Sequence, residues 1–175
     1  MPTSYASVIE GMVNGWVQIG VHGPNSYVLA KEKDPALEVF ATYTKTKGHF
    51  QDEGPGYRAV LLVKADSKFD SIESLKGSVT GLADPASTSG NLLPRMVLGE
   101  KIGTGPELEK YFSKVVYTGG HDQSARTVVD PAPGPAPRSA PVTGLRVGSE
   151  AVRAAKALTE ASSALSSTTE AVPSP

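Results

Sequence analysis

Residues 79–98 read VTGLADPASTSGNLLPRMVL. Val79 to Ala83 predicts a short strand, and Asp84-Pro85-Ala86-Ser87-Thr88-Ser89-Gly90 a turn. Leu92, Leu93, Met96, Val97 and Leu98 then recur at the three- and four-residue spacing of a helix. A strand that hands over to a helix in this way is one unit of an α/β fold.

The flanks read the same way. Upstream, Val8, Ile9, Met12, Val13 and Trp16 predict an amphipathic helix over Tyr5 to Trp16, ended by Asn14-Gly15. A strand is expected over Trp16 to Val21, a turn at His22-Gly23-Pro24, a helix over Tyr27 to Lys33 and a strand over Glu38 to Thr44. Lys45 to Pro55 is polar and broken by Gly48, Gly54 and Pro55, so it reads as a connection. Tyr57 to Lys64 carries the continuous apolar run of a strand buried on both faces. Ser71 to Leu75 and Leu108 to Phe112 predict short helices, and Lys114 to Tyr117 a strand that ends at Thr118-Gly119-Gly120-His121-Asp122. Alternation of this kind implies mainly parallel pairing, with ligand sites beyond the carboxyl ends of the strands. His22, Ser87 to Ser89 and His121 all occupy such positions.

Composition divides the chain unevenly. All 11 aromatic residues of the 175 lie between Tyr5 and Tyr117, whereas Asp130 to Pro175 is dominated by Ala, Ser, Thr, Pro and Gly. That stretch has little large apolar surface to set against the entropy of ordering. A tail from Arg126 is therefore expected to be disordered, or weakly helical over Gly144 to Leu165. A net charge of −1 gives no electrostatic reason for nucleic acid or an anionic membrane as partner. The absence of cysteine excludes disulfides, Cys-ligated zinc, iron–sulfur clusters and a thiol nucleophile. The first basic residue is Lys31, so no signal peptide is visible.

The chemistry concentrates at Ser87-Thr88-Ser89-Gly90. The first amides of a helix lack intrahelical acceptors and carry the positive end of the helix dipole, and three hydroxyls beside them complete a cradle for a tetrahedral oxyanion. The same residues also serve as plain N-caps. His121 would donate to such an anion or to a backbone carbonyl, and His22 has the same two readings. Asp122 would orient His121 or cap the helix after it. Catalysis is disfavoured: adjacent His and Asp are badly placed for a relay, and neither a nucleophile elbow, a P-loop nor a His-x-x-x-His pair is present. No cofactor is expected.

Six segments then carry a family pattern in order: Tyr5 to Gly11, Val21 to Ala30 (VHGPNSYVLA), Gly56 to Asp66 (GYRAVLLVKAD), Ser71 to Gly77 (SIESLKG), Leu82 to Arg95 (LADPASTSGNLLPR) and Phe112 to Ser124 (FSKVVYTGGHDQS). Together they resemble the phosphate, phosphite and phosphonate substrate-binding proteins of bacterial ABC importers. The resemblance implies a type II periplasmic-binding-protein fold, two α/β lobes closing on a phosphorus oxyanion. It also implies that Ser87, Thr88, Ser89 and His121 grip the anion from one lobe. His22, where the family often has an aromatic residue, and Tyr27 would face it from the other. Gly54 to Tyr57 resembles the hinge between lobes. The partners implied are the oxyanion and a membrane permease, with a monomer expected and the periplasm as compartment.

Against the family pattern, a signal peptide and a first βα unit are expected to be missing before Tyr5, and the sequence departs from the pattern after Ala125. Residues 1–55 thus read as a partial first lobe, 56–125 as a partial second lobe with the anion loop, and 126–175 as tail. A truncated or frameshifted gene is the expected cause. The alternatives are a non-binding remnant, or a phosphoryl-handling enzyme using Ser87 or Ser89 as nucleophile.

Overall fold

The computed structural model describes residues 4–47, 52–57, 59–131, 137 and 139–142. Helix α1 (Tyr5–Val13) opens on a capping box between Ser4 and Ser7, and Asn14 with Gly15 ends it. Helix α2 (Pro24–Lys33) has Gly23 as N-cap and Pro24 in its first turn, where a missing N–H costs nothing. The two helices pack through Ile9, Ala30 and Ala86, with Tyr5, Val13, Leu29 and Leu37 around them.

Four strands follow: β1 (Val60–Val63), β2 (Val79–Leu82), β3 (Lys114–Tyr117) and β4 (Ser139–Val142). They form one sheet in the order β1-β4-β2-β3. Pairs β2/β3 and β2/β4 are parallel and β1/β4 is antiparallel, so the sheet is mixed. Helix α4 (His121–Val129) covers one face, where Leu62, Ala125, Val128 and Ala140 meet. Val63, Leu75, Leu82, Leu108 and Phe112 form a second core. Alternation of Leu62 and Val63 between these clusters is the strand period of two, and it confirms β1 as buried on both sides.

Between β2 and β3 the chain runs helically from Thr88 to Lys101. Two wide π-type segments (Thr88–Leu92 and Pro94–Leu98) lead into a last α-helical turn, α3 (Gly99–Lys101). Pro94 explains the widening. It has no N–H to give to the Gly90 carbonyl, which instead accepts from Ala83 N–H at 2.9 Å. The helix is thereby tied back to the end of β2. Its buried positions are Ser89, Gly90, Pro94 and Gly99, while Leu92, Leu93, Met96 and Val97 face outward. Of the five apolar residues that predicted the helix, Leu98 alone packs against the second core.

Three expectations are corrected. Trp16 to Val21 and Glu38 to Thr44 are not strands: Trp16 is 77% exposed and Phe40 81%, and no described strand lies beside either segment to complete a ladder. Among the described residues the nearby pairing is an isolated bridge between Lys45 and Gly54. The expected tail also starts too early. Arg126 to Val129 finish α4, and Ser139–Val142 lie inside the sheet as β4, because β1 and β2 supply the backbone partners that composition cannot show. The weak helix expected over Gly144 to Leu165 lies outside the described residues.

Candidate anion site

The site is built where β2 and β3 end side by side. Their ladder continues past both strands, with Thr118 N–H donating to the Leu82 carbonyl and Gly119 N–H to the Ala83 carbonyl, each at 2.8 Å. Gly119, at φ 95°, then turns the chain in a conformation that favours glycine, and His121 begins α4. The Thr118 hydroxyl secures this turn through the Leu82 and Gly120 carbonyls and the Ser124 hydroxyl.

Beside it, Asp84 folds the anion loop. Its carboxylate accepts from Ala86 N–H at 2.8 Å and its carbonyl from Ser87 N–H at 2.9 Å. Ser87 is buried and its hydroxyl accepts from Gly90 N–H at 3.0 Å, the N-cap of the helical segment. Ser89, also buried, places its hydroxyl 3.4 Å from Nε2 of half-buried His121. Thr88 reaches the other way: its hydroxyl accepts from Asn25 N–H at 2.8 Å. That amide belongs to the first turn of α2, where it has no helical acceptor. The starts of α2, the Thr88–Lys101 segment and α4 thus converge, and the amides and hydroxyls gathered there are neutral groups of the kind that suit an oxyanion.

Of Ser87, Thr88, Ser89 and His121, Ser89 lies beside the His121 ring, while Ser87 caps the helical segment and Thr88 contacts α2. His22 turns elsewhere: its Nδ1 lies 3.3 Å from the Ser26 hydroxyl and its Nε2 3.1 Å from the Met12 sulfur. Burial there lowers its pKa. Tyr27 is half-buried one turn into α2, its N–H bonded to the Gly23 carbonyl. Sequence reasoning missed Asn25 and Tyr57. A β-carbon placed on Gly23 would lie 3.3 Å from the Thr88 hydroxyl and 3.8 Å from that of Tyr57, so the Tyr57 hydroxyl reaches the same junction. The aromatic residue and glycines at Gly54 to Tyr57 were the available signal, but they read as hinge. Lys45 sits over the Tyr57 ring at 5.5 Å. Among the described residues no cluster of His, Cys, Asp or Glu suits a metal ion.

The sequence model of the periplasmic substrate-binding proteins of phosphonate ABC transporters matches residues 1–131. A phosphate-import protein, PhnD, of Mycolicibacterium smegmatis is 33% identical over 135 residues, 73% of this chain and 40% of its own length. A solved binding-protein component of an ABC phosphonate transporter from Pseudomonas aeruginosa superposes with a TM-score of 0.60 at 26% identity. That match covers 82% of this chain and 44% of the other. The chain therefore spans about two-fifths of the length of these relatives, and its fold is that part of a type II, two-lobed α/β binding protein.

Proposed function

The chain belongs to the phosphonate-binding periplasmic substrate-binding proteins of ABC transporters, a family of transport components rather than enzymes, and from that membership we propose that it binds a phosphorus oxyanion: phosphate, phosphite or a phosphonate. In this reading residues 1–55 supply part of the first lobe and 56–125 part of the second, with Gly54 to Tyr57 as hinge. Ser87, Thr88, Ser89 and His121 grip the anion, while His22 and Tyr27 belong to the facing side. The protein acts as a monomer, takes no cofactor or nucleic acid, and hands its cargo to a membrane permease. The family's compartment is the periplasm.

The observation that carries the reading is the junction of Thr88 with Asn25 N–H beside the Ser89–His121 pair. Amides and hydroxyls hold an oxyanion by hydrogen bonds without a neutralising cation, which keeps release easy for a carrier. Arg95, the cation nearest the start of the same helical segment in sequence, is engaged with Glu109 and its neighbours. The test is calorimetric titration of the full chain with phosphate, methylphosphonate, phosphite and sulfate, with thermal melts alongside. One phosphorus oxyanion is expected to release heat and raise the melting temperature by mass action. No heat and no shift with any of them at millimolar ligand would refute the reading. In the chain that binds, Ser89→Ala is expected to weaken affinity about tenfold, the cost of one hydrogen bond to a charged ligand. Equal affinity would remove Ser89 from the site.

A further inference from the structure

A second polar cluster lies outside the anion cradle and ties its parts together. Asn91, on the helical segment, donates from Nδ2 to the Pro85 carbonyl in the anion loop at 2.7 Å. Its Oδ1 accepts from Arg95 Nε at 3.0 Å and from the Tyr117 hydroxyl at 2.9 Å. Tyr117 ends β3, four residues before His121. The Arg95 guanidinium then clasps Glu109 through both terminal nitrogens, at 3.0 and 2.7 Å, and donates to the Pro106 carbonyl at 2.9 Å.

One side-chain amide thus connects the loop that carries Ser87 to Ser89, the helix that begins there, and the strand that delivers His121. A bidentate ion pair fixes the orientation of that amide. The fork raises the Arg95 pKa and holds the Glu109 carboxyl below its usual range, the guanidinium–carboxylate hydrogen bonds being the first cause in both.

We propose that Asn91, Arg95 and Tyr117 are positioning residues, an outer brace that sets the spacing between the Ser89 hydroxyl and the His121 ring. The inference deepens the anion-binding reading and rests on it for its consequence: the brace governs affinity without touching the ligand. A site held by its supporting shell loses binding when that shell loosens, even with every donor still present.

The test uses the full chain in three variants, Asn91→Ala, Arg95→Lys and Tyr117→Phe. Lys110→Ala, which breaks only the exposed pair with Glu107, serves as control. Ring resonances of His121 are read by NMR in the free protein, and inorganic phosphate, phosphite and methylphosphonate are then titrated. Arg95→Lys and Tyr117→Phe are conservative enough to keep the fold, which the sheet amide spectrum checks. The expected result is displaced His121 resonances in the brace variants and not in the control, with phosphate binding weakened about tenfold. His121 resonances that superimpose on wild type in all three variants would overturn the inference, whatever the affinity does. Displaced resonances in a chain that takes up neither phosphate, phosphite nor methylphosphonate would support the brace and defeat the anion reading, so the two failures are distinguishable.

Discussion

Gly90 is the residue on which the site's packing turns. A β-carbon there would come within 2.4 Å of the Ala83 β-carbon and 2.9 Å of His121 Cε1. Ala83 is held at the end of β2, and His121 begins α4, so neither neighbour moves cheaply. Gly90→Ala is expected to destabilise the protein by about 1–3 kcal/mol, the usual range for an overfilled core. Urea denaturation with an unchanged midpoint would contradict this. His22 offers a second test, through pH. Burial lowers its folded-state pKa below the ordinary 6.5, so between the two values the unfolded chain binds more protons, and stability rises with pH. The contribution of neutral His22 is complete above pH 6.5 and is lost as pH falls through the folded value. Melting temperatures of wild type and His22→Gln across that interval should differ in slope, the variant being flatter. Parallel curves would show that His22 is not the group responsible.

At the scale of elements, β4 decides whether the sheet is continuous. It lies between β1 and β2, and Ala140 is fully buried against Leu62 and α4. Ala140→Asp would place an unpaired charge there at a cost of about 3 kcal/mol or more. A chain ended after Pro131 would lose the strand altogether, although the family match itself stops at that residue. Both changes are expected to abolish a cooperative thermal melt, and a sharp transition in the shortened chain would show β4 to be dispensable. This strand was illegible in the sequence for a physical reason. Ser-Ala-Pro-Val has no alternation to read, and Pro141 argues against a central strand. It is tolerated because pairing with β2 is confined to Thr80 and Ser139, leaving Pro141 beside β1 alone. The reverse error, strands expected at Trp16 to Val21 and Glu38 to Thr44, has the same origin: local pattern specifies a strand's side chains but not its partner. Helix α1 and strands β1, β2 and β3 were legible because their periodicity or apolar run is local.

Across the whole molecule, two helices at the amino-terminal end meet the sheet through a small junction. Ala86 of the anion loop packs against Ile9 and Ala30, and beside it the Thr88 hydroxyl accepts from Asn25 N–H. This explains which half of the candidate site was legible in the sequence. Ser87, Ser89 and His121 lie next to local punctuation, a strand-to-helix turn and a Gly-Gly, whereas Asn25 and Tyr57 reach the site only when residues far apart in the chain dock. The junction also makes the docking measurable. Asn25 N–H is one of the amides at the start of α2 that no helical carbonyl can satisfy, so it depends on Thr88 for its partner. Thr88→Val keeps the shape and removes the acceptor, while Thr88→Ser keeps the acceptor. Hydrogen exchange at Asn25 is expected to accelerate about tenfold in the valine variant and to stay near wild type in the serine variant, following the loss of one hydrogen bond. Amides of β2 should be unaffected in both, because their partners lie in β3 and β4. Equal exchange at Asn25 in all three proteins would mean that the amino-terminal helices are held by the apolar packing around Ile9, Ala30 and Ala86 without help from Thr88.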